Sequence, residues 1–140
     1  MVKGPADVRR GVVDDVGEQL SSAYTTLRRD YERVVRQRNR LLKDSADRQR
    51  LAPWDEQLVS LGAKLTTHRS GLLEKMAKAT SEIHALLTDG MPLGVRYVSG
   101  IADDVLDQSG IRNREEVEAA MRRRLQIRAA EEQTRMMTLV

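Results

Sequence analysis

Residues 30–43 read DYERVVRQRNRLLK. With the residues just before them, they repeat apolar side chains at Tyr24, Leu27, Tyr31, Val34 and Leu41, at intervals of three, four, three and seven. Such spacing lays one side of a helix against a partner helix. Arg38 stands where the seam calls for another apolar residue. The other faces carry Arg33, Arg36, Arg40 and Lys43. Between Arg28 and Arg50 there are nine Lys/Arg against four Asp/Glu, a local +5, while the whole 140-residue chain is only +3. Positive charge is therefore concentrated here and offset elsewhere.

Working outward, Ser21 or Ser22 is the expected N-cap of this helix, which the pattern predicts over 22–44. SADRQRLA at 45–52 is polar and without a clear period, so it reads as a connection that could hold one strained helical turn. Pro53 is expected to open the longest helix, 53–88. Its seam runs Trp54, Leu58, Leu61, Leu65, His68, Leu72, Met76, Ala79, Ile83 and Leu86. The doubled interval of four at 68–72–76 is a stutter beside Gly71, and it predicts a bend or irregularity there. Asp89-Gly90, with Pro92 beyond, stops the helix. Upstream, Gly4-Pro5 is a turn, and a short helix over 5–19 should place Val8, Val12, Val13 and Val16 on one side, weakened by Gly11 and Gly17. Downstream, LGVRYVS at 93–99 alternates like a strand, and residues 100–110 read as an acidic loop. Asn113 caps a third helix, 113–134, with Glu116 placed for a capping box and a seam of Val117, Met121, Leu125 and Arg128. MMTLV at 136–140 is β-prone, and 93–99 is the partner available to it.

Composition points the same way. Aromatic residues are 3%, phenylalanine is absent and charged residues are 32%, which suits long amphipathic helices better than a sandwich or barrel. The chain has no cysteine, so disulfides and thiolate metal sites are excluded. No apolar run approaches the roughly 20 residues a membrane helix needs, and MVKGPADVRR lacks the apolar middle of a signal peptide. The reading is a cytoplasmic protein without a membrane partner.

No catalytic constellation assembles. There is no G-x-x-x-x-G-K-[ST] phosphate loop. Asp14-Asp15 and Asp103-Asp104 read as solvated charge. His68 and His84 are too far apart for a helical metal pair and have no completing ligands; His68 reads as a partly buried seam residue. The best functional candidates are the cations Arg33, Arg36, Arg40 and Lys43, with Arg48 and Arg50 after them. Arginines on a rigid helix can reach successive phosphates of double-stranded DNA. No aromatic residues interleave with them, which argues against a stacking platform for single strands. The competing reading is structural: arginine stems cover seam leucines and pair with Glu56, Glu74 or Glu82 across the hairpin. Arg38, inside the seam, is the residue most suited to a structural role, with Trp54 as an anchor and Asp55 as an acid near a helix start.

VRQRNRLLK at 35–43, followed after a short loop by PWDEQLVSLGAKL at 53–65, resembles the middle segment of the RecF family, bacterial DNA-repair ATPases related to SMC and ABC-type heads. GPADVRRGVVDD at 4–15 resembles the family's G-x-P-x-x-R-R-x-x-x-D approach to that segment, with Val12 where a larger apolar residue is usual. MTLV at 137–140 resembles the strand leading into the family's GPHRDD motif, which is not in this sequence. The resemblance runs through nearly the whole chain in the same order. It implies the helical second lobe of a protein acting in DNA replication, repair, recombination and the SOS response. It also implies engagement of duplex DNA near gaps, help in loading RecA, and RecO- and RecR-type mediators as partners. ATP and Mg²⁺ are the cofactors of the full-length family; the motifs that hold them are absent here, so this segment alone is expected to have no cofactor and no ATPase activity. The start and finish suggest an excised domain or a truncated product.

The expected fold is mainly α, a single elongated domain. Helices 22–44 and 53–88 form an antiparallel, coiled-coil-like hairpin; the 5–19 helix leads in; helix 113–134 packs on the hairpin; strands 93–99 and 136–140 make a small two-stranded piece. Two functional readings stand: a RecF-like DNA-facing arm, and a coiled-coil interaction module, able to form a homodimer, whose arginines are structural. A stand-alone enzyme is the least supported. Solvent exposure of the α-helical arginines separates the first two.

Overall fold

The computed structural model describes residues 6–95 and 113–139. These contain four helices: α1 (Ala6–Leu20), α2 (Ser22–Lys43), α3 (Arg48–Leu87) and α4 (Arg114–Arg135). The Gly4-Pro5 turn, the acidic loop at 100–110 and the part of the first predicted strand beyond Val95 lie outside the described residues.

The helix starts follow local capping chemistry. Ser21 is extended and its side chain accepts from the Tyr24 amide at 3.3 Å, opening α2 directly after α1. Asn113 accepts from the Glu115 amide at 2.9 Å and opens α4, with Glu115 and Glu116 in the first turn, where the helix dipole favours them. Asp47 accepts from the Arg50 amide and opens α3 at Arg48, ahead of the predicted start at Pro53. The polar stretch 45–52 thus supplies both the turn and the first turn of α3. Leu51 drives this: it is buried beside Leu42 and Ala46, closing a small apolar cluster under the hairpin turn. That burial outweighs the backbone bond that Pro53 cannot donate. At the far end, Asp89 and Gly90 both take positive φ and stop α3 as expected.

α2 and α3 are antiparallel: Arg38 meets Asp55, Tyr31 lies against Gly62, and Tyr24 reaches His68. α4 packs on the same half of α3. Val34, Leu58, Val59, Ala63, Val117, Met121 and Leu125 form one core, with Tyr31, Val35, Trp54 and Leu61 around it. The α2 seam holds through Tyr24 and Val34 but passes to Leu42 rather than Leu41, the drift a 3.6-residue helix makes against a strict heptad. α3 runs unbroken through the stutter and Gly71. His68 is exposed rather than partly buried, with its ring edge-on to Tyr24 at 6.2 Å.

α1 is fastened by one buried carboxylate. Asp14 accepts both Nε and Nη2 of Arg69 at 2.6 Å and the Tyr24 hydroxyl, with Arg28 nearby at 3.8 Å. Burial alone would push Asp14 up, but the Arg69 and Tyr24 hydrogen bonds and the two guanidinium charges outweigh it, so its carboxyl is held below the ordinary value. The phenol of Tyr24 is pushed up by the same burial and by its bond to Asp14. Of the four α1 valines predicted to share a packed side, Val13 is buried and Val8 and Val12 are exposed, because this contact rests on ions rather than on an apolar face. Gly17 is also explained: a Cβ there would lie 2.8–2.9 Å from the Tyr24 ring.

The predicted two-stranded piece is not present among the described residues. Residues 93–95 are irregular, and Met136 to Leu139 form a turn and an irregular segment rather than a strand. Met136 takes the left-handed conformation, with φ 54, and turns the chain back along α2. The Met136 and Met137 amides donate to the Glu132 carbonyl as the α4 cap, and residues 138–139 bond to side chains rather than to another strand.

Candidate nucleic-acid interface

The five residues 36–40, RQRNR, divide between the two faces of α2. Arg36 and Arg40 point to solvent, whereas Arg38 is 3% exposed and Asn39 is half-buried. A turn of 3.6 residues places side chains two apart on opposing sides, so one short motif serves both.

On the outer face, Arg33, Arg36, Arg40 and Lys43 are all exposed. Arg29 is exposed as well, and with them it makes a 4-3-4-3 repeat of five cations, a stripe about 21 Å long at 1.5 Å per residue. Arg29 was not among the predicted candidates, although its spacing to Arg33 continues the repeat. Among the described residues Arg36 pairs with Glu32 of its own helix at 3.7 Å, and no acid lies within ion-pair distance of the other four. Glu74 and Glu82 make no bridge to α2 among the described residues, and Glu56 is held by Arg122 of α4 at 3.0 Å. That contact lowers the Glu56 pKa through the Arg122 hydrogen bond. Of the two cations beyond the turn, Arg50 is exposed on the first turn of α3. Arg48, also exposed, lines a groove of about 470 Å³ between α3 and α4, shared with Asp55, Glu56 and Arg122.

On the inner face, Arg38 donates through Nε to Asp55 at 2.7 Å, through Nη2 to Glu132 at 2.7 Å and through Nη1 to the Thr138 hydroxyl at 3.0 Å. Burial opposes its charge, but the hydrogen bonds and charges of Glu132 and Asp55 outweigh that and raise its pKa. Asp55 therefore faces Arg38 rather than simply sitting near a helix start, and Trp54 packs half-buried against the core. Glu132, 1% exposed, was missed in the sequence. The signal was present: continuing the α4 seam from Leu125 by seven residues lands on Glu132, an acid at a buried position opposite an arginine at a buried position.

Among the described residues no group of three or more His, Cys, Asp or Glu side chains could hold a metal ion, and no helix is long and apolar enough to cross a membrane. What the arrangement offers is a rigid cationic edge, fixed from behind by a buried ion-pair cluster.

No family model matches the chain. Curated relatives do. The chain is 36% identical over its whole length to the DNA replication and repair protein RecF of Symbiobacterium thermophilum, covering 37% of that protein. It is 31% identical over 99% of its length to RecF of Halothermothrix orenii, covering 38% of it. RecF of Trichodesmium erythraeum is 29% identical over all of the chain, which covers 40% of that protein. The chain thus spans about two-fifths of the length of these relatives. On these matches the chain belongs to the RecF family of DNA replication and repair proteins, as a segment of it.

Proposed function

We propose that this chain is the helical arm of a RecF-like repair protein and that the outer face of α2 engages the phosphates of duplex DNA. The observation that carries this reading is the stripe Arg29, Arg33, Arg36, Arg40 and Lys43: it is continuous and exposed, and among the described residues no acid of another helix forms an ion pair with it. A row of cations on a stiff helix binds backbone without reading sequence, and it does so by releasing counterions. The alternative, that the arginines are structural, is favoured for Arg38 alone, which is buried and paired. As part of a longer RecF protein, the arm would serve DNA gaps where RecA is loaded, with RecO- and RecR-type mediators beside it and the ATP site in regions outside this sequence.

The test is fluorescence anisotropy of the chain with a labelled duplex across a salt series. Wild type is expected to bind with affinity that falls steeply with salt. Arg36→Glu/Arg40→Glu is expected to weaken binding at low salt by at least about tenfold and to reduce the slope of log K against log salt by about 2. Unchanged binding in a folded double variant would move the contact off α2, and no binding by wild type at low salt would remove the reading for the isolated arm.

A further inference from the structure

Residues 137–139 are held in an unusual way. The Thr138 amide and hydroxyl both donate to Asn39 Oδ1 at 2.7 Å. The same hydroxyl accepts from Arg38, the Leu139 amide donates to Glu132 Oε1 at 2.8 Å, and the Leu139 carbonyl accepts from Arg128 at 3.1 Å. Side chains of α2 and α4 thus meet backbone groups that a neighbouring strand would otherwise meet. Little apolar burial accompanies them: Met136 and Met137 are 49% and 46% exposed, and Leu139 is only half-buried.

We propose that Asn39, Arg38 and Glu132 form a releasable latch, giving the backbone that leaves α4 two positions: one bound along α2, the other free, with the helical core the same in both. Three features of the chemistry support this. Release exchanges hydrogen bonds to protein for hydrogen bonds to water, which returns most of the energy of each bond, and exposes little further apolar surface. Release also strands no buried charge, since Arg38 keeps both Asp55 and Glu132. Finally, the bound position holds Met136 at positive φ, where its amide and that of Met137 donate to the Glu132 carbonyl as the α4 cap; a methionine is strained there, so a release that lets this cap open relieves the strain. The RecF relatives are longer than this chain, and such a latch would set whether an arm and what continues from it move as one body.

Amide hydrogen exchange on this chain tests the proposal. In wild type the Thr138 and Leu139 amides are expected to be protected, yet to exchange at least about tenfold faster than Leu58 and Val59, with little dependence on denaturant, as local opening requires. Asn39→Ala should speed exchange at Thr138 by about tenfold. It should also speed Leu139, whose own acceptor is untouched, and leave Leu58 unchanged. Met136→Gly should act in the opposite sense and slow Thr138, because glycine accepts the left-handed turn without strain. Exchange of Thr138 in step with the core would overturn the latch, as would absence of protection in wild type. A loss of core protection in Asn39→Ala would do the same, since the segment would then be part of the core.

Discussion

From Arg48 to Thr66, α3 is packed by α2 and α4 and contributes seven buried residues; from Thr67 to Leu87 it buries none. Both halves carry the same apolar spacing, so the spacing reports which face of a helix is apolar and says nothing about what covers it. Length decides the rest. α2 has 22 residues and α3 has 40, so α2 spans about 33 Å and α3 about 60 Å. An antiparallel partner that begins at a tight turn can cover only the near half. The last buried position of α3, Thr66, lies just before the stutter at 68–72–76, and beyond it Leu72 and Met76 are half-buried while Ile83 and Leu86 are exposed.

The largest contrast should come from leucine truncation. Leu58→Ala removes a side chain with no exposure from the centre of the core and is expected to cost about 2–5 kcal/mol. Leu86→Ala, at 86% exposure, should stay within about 0.5 kcal/mol of wild type. Urea melts followed by circular dichroism measure both, and a large loss from Leu86→Ala would mean that the far half has a partner. The glycines give a smaller contrast of opposite sign. At Gly62 a Cβ would overlap the Met121 methyl and press on Tyr31 at 3.1 Å, so Gly62→Ala should lose about 1–2 kcal/mol net of helix propensity. Gly71 faces open space, and Gly71→Ala should gain up to about 1 kcal/mol in the same melts.

The smallest effect is confined to acid. Asp14 joins α1 to Arg69, at the boundary between the halves. Its folded pKa is lowered from the ordinary 3.8. The stability it contributes is therefore fully present above that value and is lost as pH falls through the lower folded value. Wild-type stability should thus drop more steeply below about pH 4 than that of Asp14→Asn. Parallel slopes for the two proteins in melts between pH 3 and 6 would assign the acid sensitivity to other carboxylates.

Much of this was readable in the residues. Ser21 and Asn113 mark their helices by capping chemistry, and Asp89-Gly90 marks a stop, because each signal is local. The start of α3 was not readable, because Pro53 is a strong local signal overridden by burial of Leu51 beside Leu42, a contact made only once the hairpin closes. The β-prone residues 136–139 misled for a related reason: propensity describes the strand's own preference, whereas Asn39 and Glu132 offer its backbone another partner. At the candidate interface the cations were legible by charge and spacing. The division of RQRNR into an outer and an inner pair was not, since it depends on which side α3 occupies.

The position of Trp54 has a spectroscopic consequence. It is the only tryptophan in the chain, and it sits half-buried against a core to which α4 contributes Val117, Met121 and Leu125. Intrinsic emission excited at the indole therefore comes from a single site whose surroundings change when α4 leaves α3. The protein carries its own fluorescent reporter of α4 docking, and no label has to be attached to the cationic face to follow it.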